Sequence, residues 1–127
     1  MTEWVLDASA VLAMFYDEPG GDQVRRILTD SILSAVNACE VVTGLVGRGT
    51  PPDVASRMVR DLACQPIPVD TELSLRAGEL VVLTRSKGLS LGDRICLALA
   101  ERESVPALTS DRAWAELELD IKVSLIR

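Results

Sequence analysis

Four acidic residues, Asp7, Glu40, Asp93 and Asp111, sit where strand-like apolar segments give way to helical ones, or in the first turn of such a helix. In an open parallel sheet those positions gather at one edge, so residues far apart in sequence can meet in one pocket. Carboxylates packed together repel and raise one another's pKa values unless a cation neutralises them. An oxygen-only set of this kind suits Mg²⁺ or Mn²⁺. The chain has no histidine, which removes Ser-His-Asp and Cys-His catalysis, histidine-ligated zinc and imidazole proton shuttling. The three cysteines, Cys39, Cys64 and Cys96, form no C-x-x-C pair. They read as small core residues of a reducing compartment.

Helix capping accounts for the same acids without any chemistry. Ser90-Leu91-Gly92-Asp93 has the form of a capping box, and Asn37-Ala38-Cys39-Glu40 resembles one with Asn37 as the cap. Asp7 and Asp111 can be plain N-caps, and Asp53 and Asp70 are taken as caps only. Ser9, Asn37 and Thr109 lie near the acids and either hydrogen-bond a carboxylate or cap locally. Arg94 and Arg112 each follow an acid directly and either meet a substrate phosphate or stand as solvated helix-face arginines.

The elements that must position these residues follow from hydrophobic spacing. Trp4 to Leu6 is a buried strand feeding a helix that reaches Tyr16, and Asp22 to Thr29 is a second, amphipathic helix after the Pro19-Gly20-Gly21 break. Ser31 to Ala35 predicts a strand, Asn37 to Leu45 a helix, and Pro51-Pro52-Asp53 the start of another running to Ala63. Pro66 to Val69 is extended, and Asp70 caps a helix over Thr71 to Ser86 with Leu73, Ala77, Leu80 and Val81 inside and Gly88 beyond its end. A further helix spans Leu91 to Glu103, with strands at Val105 to Thr109 and Ile121 to Ile126 around a short helix from Asp111 to Leu117. This alternation predicts an α/β domain over 1–127 with three layers and a mostly parallel sheet, the last strand pairing at either edge.

The 127 residues are 48% hydrophobic and 25% charged, ordinary proportions for one globular domain. Thirteen basic against nineteen acidic residues give a formal charge of −6, the wrong sign for holding nucleic acid by bulk attraction. With only four aromatics, Trp4, Phe15, Tyr16 and Trp114, a base-stacking ladder is not expected. No secretory or membrane-spanning pattern appears, which predicts a cytoplasmic protein.

The segments V-L-D-A-S-A-V-L-A (5–13), S-A-V-N-A-C-E-V (34–41), G-L-S-L-G-D-R-I-C-L-A-L-A (88–100) and A-L-T-S-D-R-A-W (107–114) resemble, in order and spacing, the motifs of the PIN domain, and more narrowly those of VapC-type toxins. The resemblance implies a PIN-like α/β/α fold, a divalent-metal-dependent ribonuclease activity, a cognate VapB-type antitoxin that blocks the site, and a homodimer within the toxin–antitoxin complex. It places Asp7, Glu40, Asp93 and Asp111 on the acidic quartet, with no member missing. Asp7, Asp93 and Asp111 would then bind Mg²⁺ or Mn²⁺, while Glu40 would help ligate the ion and orient or deprotonate the attacking water. Products with a 5′-phosphate and a 3′-hydroxyl, and a structured substrate such as transfer RNA or a ribosomal RNA loop, are implied in the same way.

Two other readings compete. A Mg²⁺-dependent phosphatase also places an aspartate after the first strand, but it usually needs a second one two residues on, where this chain has Ser9, and its only lysines are Lys87 and Lys122. A non-catalytic partner-binding module would keep the fold and use its acids as caps only. Apolar stripes on the first four helices predict a groove for a partner and a self-association face, with Phe15-Tyr16 as one candidate surface.

Overall fold

The computed structural model describes residues 2–64 and 66–127. Five strands, β1 (Trp4–Leu6), β2 (Ser31–Ser34), β3 (Pro66–Ile67), β4 (Ala107–Thr109) and β5 (Val123–Leu125), form a sheet of order β3-β2-β1-β4-β5 in which every pairing is parallel. Parallel neighbours need crossover connections, and among the described residues seven α-helices supply most of them. These are α1 (Ala8–Phe15), α2 (Gly21–Ile27), α3 (Ala35–Gly47), α4 (Pro52–Arg60), α5 (Thr71–Glu79), α6 (Val81–Thr84) and α7 (Leu91–Glu103). From β1 the chain steps outward to β2 and β3, then returns across the sheet to β4. Right-handed crossovers running in opposite directions put their helices on opposite faces.

Two apolar cores result, one on each side of the sheet. Leu6, Leu33 and Leu108 point into a core with Val11, Val24, Val41, Leu45 and Val59 from α1 to α4. Val5 and Ala107 point the other way, into a core with Leu73, Ala77, Ile95, Leu99 and Trp114. Successive strand residues thus alternate between faces, as the period of two requires. The three-layer, parallel α/β architecture read from the sequence is the one observed, and β5 pairs with β4 at the edge.

Several local expectations change. The predicted helix over Thr71 to Ser86 breaks at Leu80 into α5, α6 and a 3₁₀ turn at Arg85–Lys87. Its carbonyls are drawn to side chains there: Arg94 Nη1 donates to Ala77 O at 3.0 Å, and Thr84 Oγ1 donates to Leu80 O at 3.0 Å. Val81 is consequently exposed rather than inside, with Val82 and Leu83 beside it. The Asp111–Leu117 helix is a 3₁₀ turn over Arg112–Glu116. Cys64 and Cys96 are buried as read, but Cys39 is exposed, because Asn37, Ala38, Val41 and Leu45 form the inward face of α3 and Cys39 lies off it. Phe15 and Tyr16 pack against the core, with the Arg48 guanidinium 4.0 Å from the Tyr16 ring centroid. Among the described residues no helix is long and apolar enough to cross a membrane.

The turn joining α1 to α2 depends on glycine. A Cβ on Gly21 would lie 2.5 Å from Ala13 O, and Gly20 adopts φ +90 against the backbone of Ile126. Gly21→Ala should therefore destabilise the protein by about 1–3 kcal/mol, as overpacking against backbone does, measured by urea unfolding. Asp70 Oδ1 accepts from Leu73 N at 2.9 Å, whereas Asp53 makes no cap bond and lies inside α4 behind Pro51. Asp70→Ala should cost about 0.5–2 kcal/mol as a lost cap, and Asp53→Ala markedly less in the same titration.

Candidate active site

The order β3-β2-β1-β4-β5 reverses direction between β1 and β4, and a crevice opens outside the carboxyl ends of strands at such a switch point. Asp7 follows β1 directly, and its backbone N–H is tied to Leu108 O of β4 at 2.9 Å. Although Asp7 stands at the N-cap position of α1, its side chain makes no cap bond. Its Oδ2 instead accepts from Ser9 Oγ at 2.6 Å and from Thr109 Oγ1 at 3.0 Å. The capping account therefore does not explain Asp7.

Nor does it explain Glu40. The N-cap of α3 lies three residues earlier than the sequence indicated: it is Ser34, not Asn37, and it accepts from Asn37 N at 2.9 Å. Asn37 is thus inside the helix and fully buried, and Glu40 lies in the second turn. Glu40 Oε1 accepts from Asn37 Nδ2 at 2.8 Å, and the same amide donates to Gly92 O at 3.1 Å. Ser34 is a residue that the sequence reading missed. A Ser three residues before an Asn, at the end of an apolar strand, was the available signal.

For the other two acids capping is real. Asp93 forms the predicted box with Ser90, its Oδ2 accepting from Ser90 N at 2.9 Å while Ser90 Oγ accepts from Asp93 N at 3.2 Å. Asp111 Oδ1 accepts from Ala113 N at 3.0 Å. Asp111 is also linked to Asp7 through one shared hydroxyl, since its backbone N–H donates to Thr109 Oγ1 at 3.1 Å. Ser9 Oγ joins the same knot, 3.2 Å from Thr109 Oγ1 and accepting from Ser110 N.

A pattern emerges across the four. Each acid has one carboxylate oxygen held by a local donor and, among the described residues, a second oxygen with none: Asp7 Oδ1, Glu40 Oε2, Asp93 Oδ1 and Asp111 Oδ2. None forms an ion pair with a lysine or arginine of the described residues. Arg94 donates to α5 through Ala77 O, and Arg112 is exposed beside Asp111.

The electrostatics follow from burial and from the unpaired charges. Burial, with further repulsion from Asp93 and Glu40, pushes Asp7 up to about 6 against the lowering effect of the Ser9 and Thr109 hydroxyls. Glu40 is raised as well, chiefly by burial and partly by Asp93, while the Asn37 amide opposes the shift. Behind them the buried Cys96 thiol is raised by burial and then by Asp7, Asp93 and Glu40, which keeps it protonated. Among the described residues no three acidic or cysteine side chains stand where they could ligate one ion together. In chemistry, though not in the spacing of the side chains, the donor set suits a hard divalent cation, since its open atoms are all carboxylate oxygens and, among the described residues, no basic side chain neutralises them.

Asp7 ionises less readily in the fold than at its ordinary value of 3.8, so its charge opposes folding. That cost is absent below pH 3.8, grows through the interval to about 6 and is complete above it. It is of order 3 kcal/mol. In chelator-treated protein Asp7→Asn should therefore raise Tm at pH 7.5, and the gain should close as the pH is lowered toward 4. A gain of equal size at both pH values would contradict the desolvated Asp7.

The PIN domain family model matches residues 4–119. No sequence match is found among curated proteins. The fold is similar to that of a toxin–antitoxin complex from Klebsiella pneumoniae, with 18% identity, TM-score 0.73 and 98% of each chain covered. It is similar also to a DNA-bound VapBC from Salmonella typhimurium, with 14% identity, TM-score 0.77 and all of both chains covered. A third similar structure is VapC20 of Mycobacterium tuberculosis, described as a sarcin-ricin loop cleaving toxin, with 18% identity, TM-score 0.72, and 90% of this chain and 94% of that one covered. From the match over residues 4–119 and the switch-point site that those residues build, the chain belongs to the PIN domain family.

Proposed function

We propose that this PIN domain is a VapC-type toxin, a divalent-metal-dependent endoribonuclease that cleaves a structured RNA and is neutralised by a VapB-type antitoxin. The observation that carries the reading is the set of four acids at one sheet edge, each with an open oxygen and none paired with a base. Asp7, Glu40, Asp93 and Asp111 are the residues that would hold Mg²⁺ or Mn²⁺. When bound, the ion acts as a Lewis acid on water and offsets charge building on the scissile phosphate.

The chain's own residues divide the remaining work. Ser9 and Thr109 fix the Asp7 carboxylate by its Oδ2 and so orient Oδ1. Glu40, whose carboxyl burial makes more basic than usual, has Oε2 free and would take a proton from the attacking water. Arg112, exposed next to Asp111, would meet a substrate phosphate, while Arg94 braces α5 against α7. The named similarities support an antitoxin partner, since two of these structures are toxin–antitoxin assemblies, and a ribosomal RNA loop as one substrate class.

The surface supports partners too. Leu75, Val81, Val82, Leu83 and Leu91 are exposed along α5, α6 and the start of α7, whereas α3 and α4 expose only Val46 and Val54 among their large aliphatics. The most exposed aliphatic side chains thus lie on α5, α6 and the start of α7, while the first four helices keep Leu12, Phe15, Ile27, Val42 and Met58 only partly buried. On this reading the setting is the cytoplasm, where RNA and antitoxin are both present.

One observation favours a non-catalytic module instead: Asp93 and Asp111 each serve as helix caps. A single experiment separates the readings. Purified, antitoxin-free protein is incubated with total cellular RNA and Mn²⁺ or Mg²⁺, and new 5′-phosphate ends are mapped beside Asp93→Asn and chelator controls. Discrete ends that vanish in both controls are expected. A folded protein that binds Mn²⁺ at Asp93 yet hydrolyses only a phosphomonoester would favour the phosphatase. One whose stability is unmoved by Mn²⁺ would be the binding module, because an ion bound only to the native state at 100 times its Kd should add about 2.7 kcal/mol.

A further inference from the structure

Gly92 is the second residue of α7, buried, and without the positive φ that marks Gly20, Gly49 and Gly88. Its backbone therefore does not require glycine, and at a helical position alanine is the better former. What glycine provides is space. A Cβ at 92 would fall onto the Glu40 carboxylate, whose Oε2, Cδ and Oε1 are its three nearest atoms, each inside any contact distance that real Cβ atoms show. The Glu40 carboxylate occupies the volume that a side chain at 92 would fill.

Hydrogen bonds hold it there. Ser34 Oγ donates to Asn37 Oδ1 at 2.7 Å, which sets the amide so that Nδ2 faces the other way. That nitrogen donates both to Glu40 Oε1 and to the carbonyl of Gly92 itself. Ser34 and Asn37 are both fully buried, so neither partner has water as an alternative. One residue thus vacates the space for the carboxylate and anchors the amide that orients it.

We infer that Gly92 and Asn37 are positioning residues for Glu40, Gly92 by leaving its Cβ volume to the carboxylate and Asn37 by fixing Oε1 and leaving Oε2 free. The inference rests on the reading of Glu40 as part of the nuclease site. Because the clashing group is the far end of a flexible side chain, a methyl at 92 displaces Glu40 outward and spares the fold. Glycine at this position is thereby required by the site and not by the helix.

The test compares Gly92→Ala, Glu40→Ala and the double variant with the unaltered protein. In the metal-free state the Asn37 side-chain amide should give protected, shifted NMR signals, and Gly92→Ala should move them as Glu40→Ala does. Mn²⁺ affinity and RNA cleavage should fall roughly 10- to 100-fold in Gly92→Ala, with Tm nearly unchanged. Adding Gly92→Ala to Glu40→Ala should cost nothing further. Unaltered Asn37 signals and Mn²⁺ affinity in Gly92→Ala would overturn the inference, as would a further loss in the double variant. Should Gly92→Ala fail to fold, recovery of folding in the double variant supports the carboxylate as the occupant, and failure of both overturns it. If the unaltered protein cleaves no RNA, the nuclease reading falls while the Asn37 signals still decide the positioning.

Discussion

Keeping ionised carboxylates close together at the edge of a parallel sheet, with no basic side chain to offset them, is the constraint on which the rest of the site depends. Asp7 bears most of it, being nearly buried and facing repulsion from Asp93 and Glu40. Two hydroxyls soften the cost without removing it, because a hydrogen bond from a neutral donor lowers a carboxylate's pKa less than a neighbouring cation would. A fold optimised only for stability would place an arginine or an apolar residue there. The surrounding donors instead occupy one oxygen of each acid and leave the other open, an arrangement that suits an ion arriving from solution.

The topology makes that gathering possible. Because the chain runs outward from β1 to β3 and returns to β4, the helices that follow β1 and β4 leave toward opposite sides and the crevice between them stays open. Thr109 closes the arrangement from the β4 side, donating to Asp7 and accepting from the Asp111 backbone through a single hydroxyl. Two segments separated by about a hundred residues are thus locked together by one buried side chain.

The strand-and-helix alternation, the parallel sheet and the edge at which Asp7 and Asp111 stand were legible because they follow from hydrophobic period and crossover geometry. Whether a given acid caps or binds was not. Asp93 and Asp7 look alike in sequence, each an aspartate at the start of an apolar helix, yet one forms a capping box and the other ignores its helix for hydroxyls that include one from β4. The difference lies in a contact across sequence that no local pattern encodes. The break at Leu80 has the same origin, since Arg94 reaches from α7 to take a carbonyl that the helix would have used. Gly92 reads as a mild helix flaw in sequence, and only the position of Glu40 gives it a purpose.

On the proposed reading, cleavage chemistry and substrate choice reside in different parts of the molecule. A chain of net charge −6 gains little from bulk attraction to phosphate, so an RNA must be selected by shape and by a few local contacts. Lys87 is already engaged with Glu116, which leaves Arg85 and Arg112 as exposed cations of that region with no acidic partner among the described residues. Beside them lies the apolar run of α6. A partner covering that run would lie over the 3₁₀ turn that leads into α7, and α7 carries Asp93 and the Gly92 carbonyl.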